Sequence, residues 1–216
     1  MSSYELVLFD PDGTLTDPCE GITNSVAYAL EKFGIHTEDK RELAKFIGPP
    51  LLESFNKFYG FDEEQSWQAL TYYREYFTEK GIMENFVYDG IEELLQALLD
   101  GGKVLCVATS KPEPFAKTIL DSFKLSRYFK YIAGADLAET RAKKDEVIEY
   151  ALRQCEVTDR SKVIMVGDRE HDIFGAAKCS LHSIGVLFGY GNREELESAG
   201  ATYIAETVDD IAKIIL

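Results

Sequence analysis

The feature that most constrains this chain is a change of rhythm near Tyr88. From there on, short unbroken apolar runs alternate with segments whose apolar residues recur at helical spacing. The runs Lys103-Val104-Leu105-Cys106-Val107-Ala108 and Lys162-Val163-Ile164-Met165-Val166 are too uniformly apolar for strands with one wet face, so they read as strands covered on both sides. Shorter strands are expected at 131–133, 183–187 and 203–204, with helices over 91–99, 115–123, 144–154, 173–178, 193–199 and 208–215. Strands joined through helices run parallel, so the expected fold class is α/β, a doubly wound parallel sheet. One further apolar run, Tyr4-Glu5-Leu6-Val7-Leu8-Phe9, lies far upstream of the others.

The residues between that first strand and the rest carry no β-alternation. Ile22, Val26, Ala29, Leu30 and Phe33 share a helical face, and helical patterns recur over 38–46, 51–58 and 63–80. Gly34, Gly48-Pro49-Pro50, Gly60 and Gly81 separate them. Trp67, Leu70, Tyr73 and Phe77 are expected on one side of the last helix, as core. The chain is therefore divided into an α/β part, 1–15 and 86–216, and an inserted four-helix part, 16–85.

Composition removes several classes of function. The formal charge of −15, from 38 acids against 23 bases, argues against a nucleic acid polymer as the main ligand. An acidic chain that handles an anion must gather its few cations, or a metal, at one point. No apolar run approaches the roughly 20 residues that span a bilayer, and no basic-then-apolar leader pattern is present, so no membrane association and a cytoplasmic location are expected. Cys19, Cys106, Cys155 and Cys179 are widely spaced, without the spacing of a zinc site or a disulfide framework, and are expected buried and reduced.

The carboxyl ends of parallel strands lie along one edge of a sheet, where open α/β folds bind ligands. The first strand ends in Asp10-Pro11-Asp12-Gly13, whose Pro and Gly turn the chain sharply enough for both acids to face one volume. The strand from Lys103 ends in Thr109-Ser110, and the strand from Lys162 runs into Gly167-Asp168-Arg169-Glu170-His171-Asp172. Lys144 opens a helix after the strand at Tyr131. Acids, two hydroxyls and a lysine meeting there suit metal-dependent phosphoryl transfer. Mg²⁺ favours a few carboxylates, waters and a phosphate oxygen, while hydroxyls and an ammonium hold the remaining phosphoryl oxygens.

In this order, on these strand ends, Asp10-x-Asp12-Gly13-Thr14, Thr109, Lys144 and the Gly167-Asp168…Asp172 stretch resemble the four motifs of the haloacid dehalogenase superfamily of phosphohydrolases. The runs Gly21-Ile22-Thr23-Asn24-Ser25-Val26 and Val107-Ala108-Thr109-Ser110-Lys111-Pro112 are similar to phosphoglycolate phosphatase-like proteins and bacterial 5′-nucleotidases. The resemblance implies an α-helical cap over 16–85 and hydrolysis of small phosphate monoesters through an aspartyl-phosphate. Asp10 is then the nucleophile and Asp12 the acid and base. Asp10, Asp12 (through its backbone carbonyl) and Asp168 hold Mg²⁺. Thr109, Ser110 and Lys144 bind the phosphoryl group, supported by Asp172. Lys143 is the alternative to Lys144. His171, Arg169 and Glu170 read as solvated, although Arg169 could reach a substrate or a cap residue.

One departure concerns Pro11, which replaces an apolar residue of the family pattern and has no N–H for a phosphoryl oxygen. The chain is expected either to compensate with other donors or to bind phosphate and turn it over poorly. The first is preferred because every side chain that the chemistry needs is present. The partner expected is a small phosphorylated metabolite, phosphoglycolate or a nucleoside monophosphate, handled by a monomer or weak homodimer. The alternatives are a β-phosphoglucomutase-like phosphotransferase and a non-enzymatic phosphate-binding interaction protein.

Overall fold

A computed structural model describes residues 4–216. The chain divides into two compact units, the described residues up to Asp17 together with Val87–Leu216, and Pro18–Phe86.

The first unit holds a six-stranded sheet. Its members are β1 (Leu6–Phe9), β4 (Val104–Pro112), β5 (Tyr131–Ala135), β6 (Val163–Gly167), β7 (His182–Val186) and β8 (Tyr203–Ala205), in the order β5-β4-β1-β6-β7-β8. Every pairing is parallel. Two strands of two residues each, β2 (Thr16–Asp17) and β3 (Phe86–Val87), make a separate sheet.

Alternation along each strand sends side chains to two cores. Val7, Phe9, Val107, Ile164 and Val166 meet α4 (Ile91–Asp100), α5 (Glu113–Ser122) and α9 (Val208–Ile215) through Leu95, Leu98, Leu120 and Ile211. On the other face, Leu6, Leu8, Cys106 and Met165 meet α6 (Lys144–Gln154) and α7 (Glu170–Lys178) through Val147, Ile148, Ala151 and Ala176. Full burial of such side chains stabilises by roughly 1.5–3 kcal/mol each, which explains why central strands are apolar on both faces. The short α8 (Arg193–Ser198) adds Leu196 against Ile173.

Register aligns the strand ends. Leu6 lies opposite both Val104 and Val163, so Phe9 lies opposite Val107 and Val166. Asp10, Thr109 and Asp168 therefore emerge within two residues of a common level. The β4–β5 ladder then slips: Thr109 faces Gly134 and Pro112 faces Ala135, leaving Ser110 and Lys111 between two ladder positions. Such irregularities re-aim side chains at sheet ends.

The second unit contains α1 (Cys19–Lys32), α2 (Leu51–Tyr59) and α3 (Glu63–Glu79). Its second expected helix is instead a 3₁₀ segment, Lys40–Phe46. The apolar pair Leu43 and Phe46 is three residues apart, which suits three residues per turn. The Asp39 side chain starts the segment by accepting from the Arg41 N–H at 2.9 Å, and Gly48-Pro49 follow before it can lengthen. Packing is aromatic: Phe33–Phe61 and Phe46–Phe55 ring centres lie 4.6 and 5.1 Å apart. The buried stripe of α3 is Ser66, Ala69, Leu70, Tyr73 and Phe77, so Trp67, expected in the core, lies one position off that stripe and is exposed.

Candidate active site

The sequence bends immediately after β1. The Asp10 N–H still donates to Val166 O at 3.0 Å, as a strand residue would, after which Pro11 O accepts from Leu15 N and Thr16 N at 2.8 and 2.9 Å. This gathers 11–16 into a tight loop. Gly13 has φ +75°, and a Cβ there would lie 2.1 Å from Asp168 Oδ2. Both the conformation and the contact exclude a side chain. At Gly167 the contact alone decides, because a Cβ would lie 2.2 Å from Asp172 Cγ.

These constraints bring Asp10, Asp168 and Asp172 together. All three are buried, and one carboxylate oxygen from each lies within 4.8 Å of the others. Lys144, the first residue of α6, reaches into the group: its Nζ is 2.8 Å from Asp10 Oδ1, 2.8 Å from Asp172 Oδ1 and 3.3 Å from Ala108 O. It contacts those carboxylate oxygens at ion-pair distance but off the line of a good hydrogen bond. Asp172 also caps α7, its Oδ2 accepting from Arg169 N at 3.1 Å. Lys143 is exposed, since its position faces outward where α6 begins.

The Asp12 carboxylate stands apart from that cluster. Its Oδ2 is 3.0 Å from Lys111 Nζ, and both side chains are under 10% exposed. Lys111 was given no role on sequence grounds. Its signal was available: it follows the Thr109-Ser110 pair on β4, the neighbour of β1. Thr109 is buried and its Oγ1 accepts from Lys111 N at 3.1 Å, while Ser110 is half-buried. Tyr190 was also missed. Its N–H donates to Asp168 Oδ2 at 2.7 Å and its hydroxyl bonds to Asp17 Oδ1.

Arg169, Glu170 and His171 are not solvated as expected. Arg169 pairs with Glu195 at 2.8 Å, the same Glu195 accepts from Glu170 N at 3.0 Å, and burial holds His171 below its ordinary pKa. The start of α8 supplies that partner, 26 residues on in sequence.

The electrostatics follow from burial. Asp10 is pushed up to about 7, first by loss of water, against the pull of Lys144. Asp168 is raised well above the ordinary carboxyl value for the same reason, with Asp172 adding repulsion. Burial draws Lys144 down, but the carboxylates of Asp10 and Asp172 outweigh it and keep the ammonium charged.

The donor set fits a hard divalent cation. Asp12 Oδ1, Asp168 Oδ1 and Thr14 Oγ1 are buried without a hydrogen-bond partner among the described residues. Four carboxyl groups face two lysine ammoniums at these strand ends, an excess of two acids over bases. A small oxygen-preferring dication balances that excess and suits those oxygens.

Comparison with known proteins places this geometry. Residues 7–186 match the model of the haloacid dehalogenase-like hydrolases. The chain belongs to that family. It is 45% identical over 212 residues, 98% of this chain and 96% of the relative, to a 5′-nucleotidase of Pseudomonas aeruginosa. A tyrosine-protein kinase PtkA of Mycobacterium tuberculosis is 35% identical over 215 residues, 99% of this chain and 73% of the relative. The crystal structure of a predicted phosphatase from Clostridium acetobutylicum superposes with TM-score 0.97 and 53% identity, covering 99% of both chains. Among the described residues no helix is long and apolar enough to cross a membrane.

Proposed function

We propose that this haloacid dehalogenase-like hydrolase cleaves small phosphate monoesters through an aspartyl-phosphate at Asp10, with nucleoside monophosphates ahead of phosphoglycolate as substrate. The chain is a phosphoric monoester hydrolase. The observation that carries the mechanism is the buried Asp10–Lys144–Asp172 bridge beside Asp168, four ionisable groups held against their desolvation cost at one sheet edge. The resemblance to the 5′-nucleotidase supports that order of substrates.

Asp10 attacks phosphorus and the bond to the ester oxygen breaks, which divides one difficult displacement into two easier ones. Asp12 gives a proton to the departing oxygen, then takes one from the water that opens the acyl phosphate. Lys111, 3.0 Å from Asp12, holds that carboxyl in place. Thr109, Ser110 and Lys144 hold phosphoryl oxygens, and Asp172 positions Lys144. Asp10, Asp168 and the Asp12 carbonyl would hold Mg²⁺, with Asp172 beside them. When bound, the cation supplies charge neutralisation for carboxylate and phosphate oxygens. The unit Pro18–Phe86 is assigned as the α-helical cap that selects the substrate.

Hydrolysis of an aryl phosphate with and without Mg²⁺, followed by a panel of nucleoside monophosphates, phosphoglycolate and sugar phosphates, tests this. Turnover that persists in Asp10→Asn, or after complete chelation, would overturn it. The likeness to PtkA favours one second reading, transfer of the phosphoryl group to an acceptor hydroxyl. Release of inorganic phosphate in step with alcohol supports hydrolysis, and a shortfall matched by a new phosphate ester supports transfer.

A further inference from the structure

Cys106 and Cys155 are 49 residues apart in sequence, and their sulfurs lie 2.7 Å from each other. Cys106 is the third residue of β4, fully buried. Cys155 follows the last residue of α6 and ends that helix, its N–H donating to Ala151 O at 2.9 Å. Ala151 and Leu152 pack in the same core as Cys106, so both backbones are fixed where the thiols meet. One of the two is accessible: Cys155 is half-buried and lines a cavity of about 230 Å³ with Leu6, Val104, Lys130 and Val157.

We propose that Cys106 and Cys155 are a modification site, closing to an intramolecular disulfide when a peroxide enters this cavity, with Cys155 attacking first and Cys106 closing the bond. The two thiols are electrostatically unlike. The sulfur–sulfur contact with Cys106 draws the Cys155 thiol below its ordinary value, helped by Lys130, and the same contact with burial pushes the Cys106 thiol up. The Cys155 sulfur attacks one peroxide oxygen, the O–O bond breaks, and hydroxide leaves with the bonding pair and takes a proton to become water. The Cys106 sulfur then attacks the sulfenic sulfur, forming S–S and breaking S–O, and its proton leaves with the hydroxide as a second water. The two sulfurs lose two electrons, and the peroxide gains them.

The full-length protein, treated with hydrogen peroxide, quenched, denatured and alkylated without reductant, tests the assignment. Two cysteines, Cys19 and Cys179, are expected to carry the label, with Cys106 and Cys155 recovered as one linked peptide pair and both returning to the labelled pool after dithiothreitol. Cys155→Ser treated identically is expected to give no linked pair and a labelled Cys106. Labelling of all four cysteines in wild type, a bridge through Cys19 or Cys179, or Cys155 recovered as sulfinic acid beside unmodified Cys106 would each overturn the proposal.

Discussion

The two units bury polar groups in opposite ways. In the α/β unit the buried polar residues include Asp10, Asp12, Lys144, Asp168 and Asp172, all at strand ends or the helix starts beside them. In the helical unit, among the described residues, the buried polar side chains are Thr23, Ser25, Ser54, Ser66 and Asn85, and none is charged. The hydroxyls there return to their own backbone, as Thr23 to Cys19 O at 2.7 Å and Ser25 to Gly21 O at 2.6 Å. A hydroxyl satisfied locally costs little, whereas a buried ion costs several kcal/mol even when paired. The first unit thus maintains an expensive arrangement that folding alone does not require, and the second is optimised for packing.

Substitutions should separate these roles. The largest effect is expected for Asp10→Asn, which removes the proposed nucleophile while relieving buried charge: kcat falls by at least about 10⁴-fold with the thermal midpoint unchanged or raised. Loss of both activity and fold would erase the contrast between the units. Phe55→Ala, in the aromatic core of the helical unit, is its mirror image, costing about 3–5 kcal/mol in denaturant unfolding through the cavity left behind. Lys144→Ala combines both effects. It leaves Asp10 and Asp172 without their counter-ion and is expected to cost about 3–5 kcal/mol near neutral pH, less in acid where Asp10 protonates.

The pH dependence sharpens the comparison further. Asp10 in the folded protein titrates near 7, above its ordinary 3.8. The stabilisation linked to its proton is complete below 3.8 and lost as pH rises through about 7. Asp168 acts in the same direction. Metal-free protein should therefore lose stability from this site between those limits. Mg²⁺ affinity should rise over the same interval with release of protons, measurable by calorimetry in buffers of different ionisation enthalpy. A metal affinity flat across that range would sink the assignment of Asp10 and Asp168 as ligands. The smallest effect is expected at Asp62, whose exposed side chain caps α3 through Gln65 N at 2.9 Å. Asp62→Ala should cost about 1 kcal/mol and leave turnover unchanged.

Much of the first unit was legible because its signals are local or periodic. Buried strands are apolar throughout, and the register that aligns Phe9 with Val107 and Val166 follows from parallel pairing. Lys144 could not be separated from Lys143 by spacing, since adjacent residues at a helix start differ only in the direction they face, which the packing of α6 against β4 decides. The partners of Arg169 and Asp168 come from around α8, more than 20 residues downstream, where sequence spacing carries no information. β2 and β3 are too short to show any period. In the second unit the pattern identified helical character over 40–46 but not its pitch, because Leu43 and Phe46 satisfy either spacing, and Trp67 was assigned to the wrong side of α3 by one position.

The Tyr190 amide leaves a mark on which ions the pocket can accept. With Asp168 Oδ2 already accepting from that N–H, Oδ1 is the oxygen of this carboxylate left without a partner, and ligation through Oδ1 alone leaves the amide bond undisturbed. Calcium favours seven or eight oxygens and chelating carboxylates, while magnesium is content with six and keeps waters among them. One main-chain amide, distant in sequence from the strands that carry the acids, would thereby favour the smaller ion in the proposed site.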